Sequence, residues 1–337
     1  MRFRLYSLLI LLPAFLTVSA QYVYTENKPK TISETVVTDQ KEKSGESWFK
    51  ANNVLDHLDV AFTLGTPGMG LELQAPVTKW TNVRVGFDGI PQIKLPMHFS
   101  VATYAEGKVE DNFEKIQEFM YKMTGEEMHQ YVKVNGRPKM FNFKFLVDVF
   151  PFRNRHWHVT AGFYLGGRTV ATAVSAKGET STLVAMNIYN KFYNRLKEHG
   201  YDEEPIFGDI YLSPEMYKEL MSYGEMGIHV GDFRDGTPYY LKPSKNGTVS
   251  AKAFANAFKP YIGFGYNGAI DKEKKFNVGF EAGLLFWGGS PDIILNDGLN
   301  MTKELINVRG KVGDYFYLMK ALKVYPSVSF KISYNIF

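Results

Sequence analysis

The chain has 337 residues, with 39 lysine and arginine residues against 35 aspartate and glutamate residues, and it has no cysteine. The absence of cysteine excludes disulfide frameworks, thiolate metal sites and cysteine nucleophiles. Phenylalanine (26) and tyrosine (21) are abundant, yet the mean hydropathy is slightly negative at -0.21. An aromatic-rich chain that is not hydrophobic overall has a composition that β-barrels often show.

The N-terminus has the pattern of an export signal. Arg2 and Arg4 precede an apolar run, and Val18, Ser19 and Ala20 supply the small residues of a cleavage site, so we predict a signal peptide over residues 1–20. Its apolar run is too short to span a membrane as a helix. Removal of two arginines from 39 basic residues leaves 37 against 35 acidic ones, a near-balance that gives no support to nucleic-acid binding.

Residues 21–53 are polar, and we expect an exposed extension there. From residue 54 onward, apolar and polar residues alternate with the period of β-strands. The alternating segments are 58–64, 69–75, 83–87, 93–101, 141–149, 157–165, 226–230, 239–241, 249–258, 261–266, 276–284 and 328–336. We expect about ten strands, with eight or twelve as alternatives.

Two segments break this alternation. Residues 107–134 place Phe113, Ile116 and Met120 at helical spacing, and residues 179–223 contain a second apolar helical face followed by a helix start at Ser213. We predict that both are helical insertions that form an ordered cap over the mouth of the strand structure.

Alternation alone fits both a soluble sandwich and a membrane barrel. Several segments here run nine residues or more, near the ~9–11 that a tilted membrane strand needs, whereas soluble strands cluster near ~5–6. Aromatic residues also lie near strand ends, where interfacial girdles are found. These residues are Trp80, Trp157, Tyr164, Tyr266, Trp287 and Tyr334. The prediction is an all-β fold, an antiparallel transmembrane β-barrel of 8 to 12 strands with helical insertions over residues 54–337; a soluble periplasmic β-protein is the alternative.

The glycine-aromatic hairpin over residues 261–286 and the terminal strand 332–337 resemble those of Gram-negative outer-membrane β-barrel proteins, and the turns at Pro151 and Tyr325 resemble those of the Bacteroides group. Independently of this resemblance, the helical insertions make an envelope protein a candidate partner. The resemblance implies an even strand number, termini that face the periplasm, and outer-membrane lipids and the barrel-assembly machinery as partners. It also implies an assembly signal at Tyr334 and Phe337. The alternation before Phe337 is out of step with it, so we expect a bulge or a frayed last residue.

Charged and polar residues on the non-apolar strand faces are candidates to line the barrel lumen. They are Glu72, Gln74, Arg84, Asp88, Lys144, Asp148, His158 and Glu281. They fit either a narrow solute path or a paired polar interior, and the paired interior is favoured because a small barrel fills its lumen with satisfied polar groups. The sequence predicts no cofactor.

Two pairs of residues that contain histidine are candidates for chemistry. His98 and Ser100 share a strand face and resemble the spacing used by an outer-membrane lipid A deacylase, although the required acid is not identified. His156 and His158 share a face across Trp157, but no neighbouring carboxylate completes a metal site, so packing at the membrane interface is favoured. The expected role is therefore non-enzymatic: narrow or gated passage, surface binding or envelope structure, with an acyl hydrolase using His98 and Ser100 as the alternative.

Overall fold

The computed structural model describes residues 54–105, 108–110, 112–201, 205, 211–308 and 310–336; the predicted signal peptide and the 21–53 extension lie outside these residues. The strands, in chain order, are β1 (Asp59–Gly65), β2 (Gly68–Thr78), β3 (Thr81–Gly89), β4 (Leu95–Ala105), β5 (Lys108–Glu110), β6 (Tyr131–Pro138), β7 (Phe141–Val149), β8 (Trp157–Gly166), β9 (Thr169–Ser175), β10 (Glu225–Phe233), β11 (Pro238–Leu241), β12 (Ser250–Phe254), β13 (Phe258–Ala269), β14 (Phe276–Leu285), β15 (Asp292–Leu295), β16 (Leu305–Ile306) and β17 (Tyr325–Asn335). The helices are α1 (Phe113–Thr124), α2 (Thr180–His199), α3 (Pro214–Tyr223), α4 (Met301–Glu304) and α5 (Gly310–Ala321). Within the described part of the chain, no helix is long and apolar enough to cross a membrane.

Eight strands form a closed antiparallel barrel in the order β1-β17-β14-β13-β8-β7-β3-β2. The first and last strands close it, because β1 pairs with β2 on one side and with β17 on the other, where Asp59 lies opposite Asn335. Seven of the eight strands have 9 to 12 residues. The predicted fold class is confirmed, with the strand number at the lower end of the expected range.

The outer face of the barrel is apolar. On β14, Phe276, Val278, Phe280 and Leu284 point outward and are exposed, whereas Glu281 points inward and is buried. The other strands repeat this pattern with the exposed residues Phe62, Leu64, Leu71, Leu73, Phe87, Phe141, Leu165, Ile262, Phe264, Phe330 and Ile332. An apolar exterior around a polar interior is the distribution of a transmembrane barrel.

The two ends of the barrel differ. One end, the termini end, holds Asp59 and Asn335 together with the short connections 79–80, 150–156 and 270–275. At the other end, the cap end, three long insertions leave and re-enter the barrel. We call these insertions, residues 90–140, 167–257 and 286–324, the cap.

Four of the predicted girdle residues lie on the termini end, namely Trp80, Trp157, Tyr266 and Tyr334. The Trp157 ring stacks on Phe264 at 4.9 Å between ring centroids and meets Tyr266 edge-on at 5.0 Å. The other two predictions are wrong. Tyr164 points into the barrel and is buried, because it shares the inward face of β8 with His158, and Trp287 follows β14 and is buried in the cap.

The cap is built around an antiparallel sheet of nine strands. Seven of them follow the order β11-β10-β4-β6-β9-β12-β15, and the other two pair at its side, β16 with β10 and β5 with β4. Segments 93–101, 226–230, 239–241 and the first part of 249–258, expected as barrel strands, belong to this sheet instead. A half-buried sheet that covers a core with one face has the same two-residue alternation as a membrane strand, which explains the error.

The predicted helical insertions form part of this cap. Helix α1 lies within 107–134 and α2 and α3 lie within 179–223, while β5 and the start of β6 occupy the ends of the first segment. Helix α2 is fixed to the sheet by Asn190, whose amide bonds the backbone of Met226 through both its donor and its acceptor, each at 2.8 Å. Helices and sheet share one buried apolar core that includes Ile116, Leu183 and Met186.

Candidate functional site

The structure places all eight lumen candidates inside the barrel, and each is buried. They come from β2, β3, β7, β8 and β14, which are neighbours in the closed order or face each other across it. Four further residues that were not singled out in the sequence join them: Thr63, Thr160, Tyr261 and Lys331. Lys331 could have been found, because it alternates with the apolar Phe330 and Ile332 in the last strand.

Arg84 is the centre of this interior network. Its Nε lies 2.9 Å from Asp148 Oδ2 and its Nη2 lies 2.9 Å from Asp148 Oδ1, so the pair is bidentate. Its Nη1 lies 3.4 Å from Glu72, its Nη2 donates to Thr160 at 3.2 Å, and Nη2 also contacts Glu281. One guanidinium therefore binds three carboxylates from three strands.

The two interior lysines complete the network on the side of Glu72. Lys144 Nζ lies 2.8 Å from Glu72 Oε2 and 3.0 Å from Asp88, and Lys331 Nζ lies 3.6 Å from Glu72 Oε1 and donates to Gln74 at 3.0 Å. The cations Arg84, Lys144 and Lys331 thus face the four carboxylates of Glu72, Asp88, Asp148 and Glu281. Three basic side chains and four carboxyl groups therefore contact one another inside the barrel, which fits a paired interior.

Asp148, His158 and Glu281 have ligand atoms within 4.8 Å of one another, the kind of donor set that binds a metal ion. However, the Arg84 guanidinium contacts both carboxylates, so a cation already fills the position between them. His158 Nε2 lies 3.3 Å from Glu281. His156 lies apart from this group, with Nδ1 2.9 Å from the carbonyl oxygen of Asn267, and the two histidines do not converge on one site.

The barrel lumen is filled. A pocket beside the Arg84 network, bordered by Thr63, Ser329 and Lys331 among others, measures about 10 Å³, roughly the room for one water molecule. Glycines let large side chains lie flat against the wall: an added Cβ at Gly283 would come 2.4 Å from the Tyr261 hydroxyl, which donates to Glu281 at 2.6 Å. The side chains of the Arg84 network are thus buried and closely packed inside the barrel.

His98 and Ser100 lie on β4 in the cap sheet, not in the barrel. Both side chains are exposed, and their strand neighbours on β6 are Lys133 and Tyr131. Among the described residues, neither side chain forms a hydrogen bond with the other or with a carboxylate. The structure therefore does not assemble the third group that the hydrolase alternative needs.

Of the two predicted assembly-signal residues, Tyr334 is exposed on the outer face of β17 and its ring lies 5.0 Å from that of Phe276. Phe337 lies outside the described residues. Ile336 is still paired, since its N–H donates to Leu58 at 2.8 Å.

A cavity of about 310 Å³ lies in the cap, between the apolar face of the sheet and helix α5. We call it the cap cavity. Its surface is almost wholly apolar, and the one charged residue on its border, Arg137, is exposed at the end of β6. Its walls include Met97, Phe99, Val134, Met140, Ile228, Leu241, Trp287, Ile293, Leu295, Met301, Phe316, Met319 and Tyr325.

Small side chains form the floor of the cap cavity. Ala171 and Ala173 on β9 lie directly opposite Ala253 and Ala251 on β12, and Gly136 lies opposite Ala173 from β6 on the other side. Where three adjacent strands carry such small residues on one face, the sheet surface recedes, and the larger side chains at its edges enclose a space. The sequence shows the alanines two residues apart, but their pairing across distant segments appears only in the fold.

The mouth of the cap cavity lies between the start of β4 and helix α5. Leu95, Tyr315 and Leu318 line the cavity and are nevertheless 37%, 42% and 58% exposed. These side chains therefore border an opening through which a molecule of the right size has access.

A polar cluster on the cap holds β4 and β10 together away from the cavity. Glu225 accepts hydrogen bonds from Lys242 at 2.8 Å, Tyr104 at 2.7 Å and Asn194 at 2.8 Å. Burial acts to raise the pKa of the Glu225 carboxyl, but these hydrogen bonds outweigh burial and lower the pKa below its usual value. Burial and the bond to Glu225 raise the pKa of Tyr104, so the pair is a neutral phenol donating to a carboxylate.

A closed antiparallel barrel with an apolar exterior and a charged, buried interior belongs to the fold class of transmembrane β-barrels. No protein-family model matches the chain, and no curated protein matches it. Among solved structures, CarO2 of Acinetobacter baumannii is similar at 13% identity over 84% of this chain and 100% of that chain, with a TM-score of 0.37. CarO of the same organism is similar at 12% identity over 82% and 97%, with a TM-score of 0.35. Because both TM-scores lie below 0.5, neither similarity assigns a function to this chain.

Proposed function

We propose that the protein is an outer-membrane barrel that anchors a ligand-binding cap, and that the cap cavity takes up a small apolar molecule. The observation that carries the proposal is the cavity of about 310 Å³ with an almost wholly apolar surface and an open mouth. This volume lies at the lower end of the ~300–1,000 Å³ of typical ligand pockets. The membrane location is supported by the apolar exterior of the barrel and by strands long enough to cross a bilayer.

The barrel interior favours binding over passage. A solute path would need continuous space along the barrel, whereas the Arg84 network leaves about 10 Å³. Breaking that network to open a path would separate buried opposite charges, which costs several kcal/mol. The barrel thus serves as a rigid anchor in this proposal, and the cap performs the binding.

The chemistry of the cavity selects its ligand. No charged side chain lies inside, and the backbone groups of its floor are already used in strand pairing. A polar group brought into this space would lose its hydrogen bonds to water without replacement. The part of a ligand that enters is therefore hydrocarbon.

A cavity-filling variant tests this proposal. In the filled variant, Ala173→Phe/Ala251→Phe, two phenyl rings enter the cavity, each about the size of the benzene that a ~150 Å³ apolar cavity accepts. The matched control, Val174→Phe/Lys252→Phe, adds the same rings to exposed positions on the opposite face of the same strands. Heat-modifiable gel migration of the refolded proteins reports whether each barrel has formed.

The readout is the fluorescence of N-phenyl-1-naphthylamine, an uncharged apolar dye, at one fixed detergent concentration. We expect the wild type and the matched control to enhance the dye above the micelle background, and the filled variant to lose this enhancement. Equal enhancement by all three folded proteins would mean that the dye binds elsewhere, and the proposal would be wrong.

A further inference from the structure

The cap cavity lies immediately next to the lipid-facing surface of the barrel. Met140 lines the cavity and is buried, while the next residue, Phe141, is the 66% exposed first residue of β7. Trp287 likewise lines the cavity, and its predecessor Phe286 is exposed. At two separate points of the barrel rim, one peptide unit therefore joins a cavity wall to an outward-facing apolar side chain.

Both sides of the mouth are also tied to the rim. The segment before β4 starts at Ile90, which follows the last residue of β3, and α5 leads through Leu322 to Tyr325 at the start of β17. From Tyr325 to the outward-facing Val328 is three residues, or about 10 Å of strand. Both sides of the opening are thus connected by short segments to the rim, where the apolar belt of the barrel ends.

The outside of the mouth is apolar as well. Ile93 is 52% exposed just before β4, and Leu318 and Tyr317 are exposed on α5. A patch of this kind is unfavourable in water and is typical of a surface that contacts protein or membrane. Because this apolar patch lies beside the end of a transmembrane barrel, the nearest apolar surface that it can contact is the lipid of the adjoining leaflet.

We infer that the occupant of the cap cavity is an acyl chain of a membrane lipid, which enters from the leaflet on the cap side through the mouth between the start of β4 and α5. This inference rests on the proposed function and adds the source and class of the ligand. The chain fills the cavity with hydrocarbon while its headgroup stays outside, because the interior offers no polar partner. The cap cavity, at about 310 Å³, has twice the ~150 Å³ that holds the six carbons of benzene. It therefore has room for about twelve carbons, which is the greater part of one acyl chain.

The buried indole of Trp287 provides a reporter, because it lines the cavity and is held by a bond from its Nε1 to the carbonyl of Leu322 at 2.8 Å. Replacing Trp48, Trp80 and Trp157 by phenylalanine leaves Trp287 as the single tryptophan. This protein is folded into phosphatidylcholine vesicles whose acyl chains carry bromine, and its fluorescence is compared with that in unbrominated vesicles.

We expect bromine to quench Trp287, and we expect this quenching to be lost when the filled variant is made in the single-tryptophan background and retained in the matched control. Quenching that persists in the filled variant would come from the bilayer beside the rim, and the inference would be overturned. The comparison separates entry into the cavity from proximity to lipid.

A second arm distinguishes this inference from the proposed function. The single-tryptophan protein is held in amphipol without a bilayer and titrated with 12-bromododecanoic acid. Quenching by the free acid without quenching by brominated vesicles would retain an apolar binding site but refute the membrane as its source. Absence of quenching in both arms, in protein with native heat-modifiable migration, would refute the inference and the proposed function together.

Discussion

Replacement of Arg84 by methionine should destabilise the barrel strongly. Methionine keeps an unbranched chain of similar length but removes the charge and every donor. Asp148 would retain only the hydroxyl of Thr160 at 2.8 Å, whereas Glu72 retains Lys144 at 2.8 Å and Glu281 retains Tyr261 at 2.6 Å. Asp148 is therefore the carboxylate left with least compensation.

Removing one partner of a buried ion pair costs ~3–5 kcal/mol, and we expect a value near the lower end because each carboxylate keeps at least one donor. The assay is urea unfolding of the protein in phosphatidylcholine vesicles, followed by tryptophan fluorescence. Lys122→Met is the control, since Lys122 and its partner Glu118 are highly exposed on α1 and such pairs contribute little. No measurable change is expected for it.

The double variant Arg84→Met/Asp148→Asn tests the cause of the effect. If the loss arises from an uncompensated buried charge at Asp148, neutralising that residue should restore a large part of the stability. An Arg84→Met midpoint equal to that of Lys122→Met, or a double variant that is less stable than Arg84→Met, would refute the reasoning.

Three further outcomes are expected. In planar bilayers the folded protein should show no discrete conductance steps, because the lumen is filled; regular steps would contradict this. Glu225→Gln should lower the free energy of unfolding in urea by about 1–3 kcal/mol at neutral pH, the range for bonds to a charged group. Because the folded pKa of Glu225 is lowered, its contribution is complete above the ordinary value of ~4.3 and is lost as pH falls through the folded pKa, so the difference from wild type should shrink in acid. A constant difference across that window would contradict it. Gly283→Val should prevent formation of the heat-modifiable band, because a Cβ there meets the Tyr261 hydroxyl and the Ile262 carbonyl oxygen. Gly289→Ala, with no atom within 4 Å of an added Cβ, should fold despite its positive φ.

Alternation along the chain predicted the barrel and its polar interior because both depend on which face each residue takes, and that is a local property. Arg84, Lys144 and Glu281 could be assigned inward from their neighbours alone. The same alternation could not distinguish barrel strands from cap strands, since residues 226–230 and 239–241 alternate in the cap sheet as they would in a membrane.

The cap cavity depends on pairings between remote segments. Ala173 and Ala251 are ordinary residues in their own strands, and only their register across β9 and β12 produces a recessed floor. The position of Trp287 was also not predictable from the sequence. A tryptophan just after a strand fits an interfacial girdle, and only the fold shows that this side chain is buried in the cap.

The cap sheet takes strands from all three insertions: β4 and β6 come from the first, β9 to β12 from the second, and β15 and β16 from the third. No contiguous fragment of the chain contains the whole cap sheet without also containing barrel strands, so the cap cannot be excised as a separate domain. In a membrane-spanning barrel, the three segments must each cross to the far side before β4 meets β10 and β12 meets β15. Complete pairing of the cap sheet thus depends on the translocation of all three segments to the same side of the membrane.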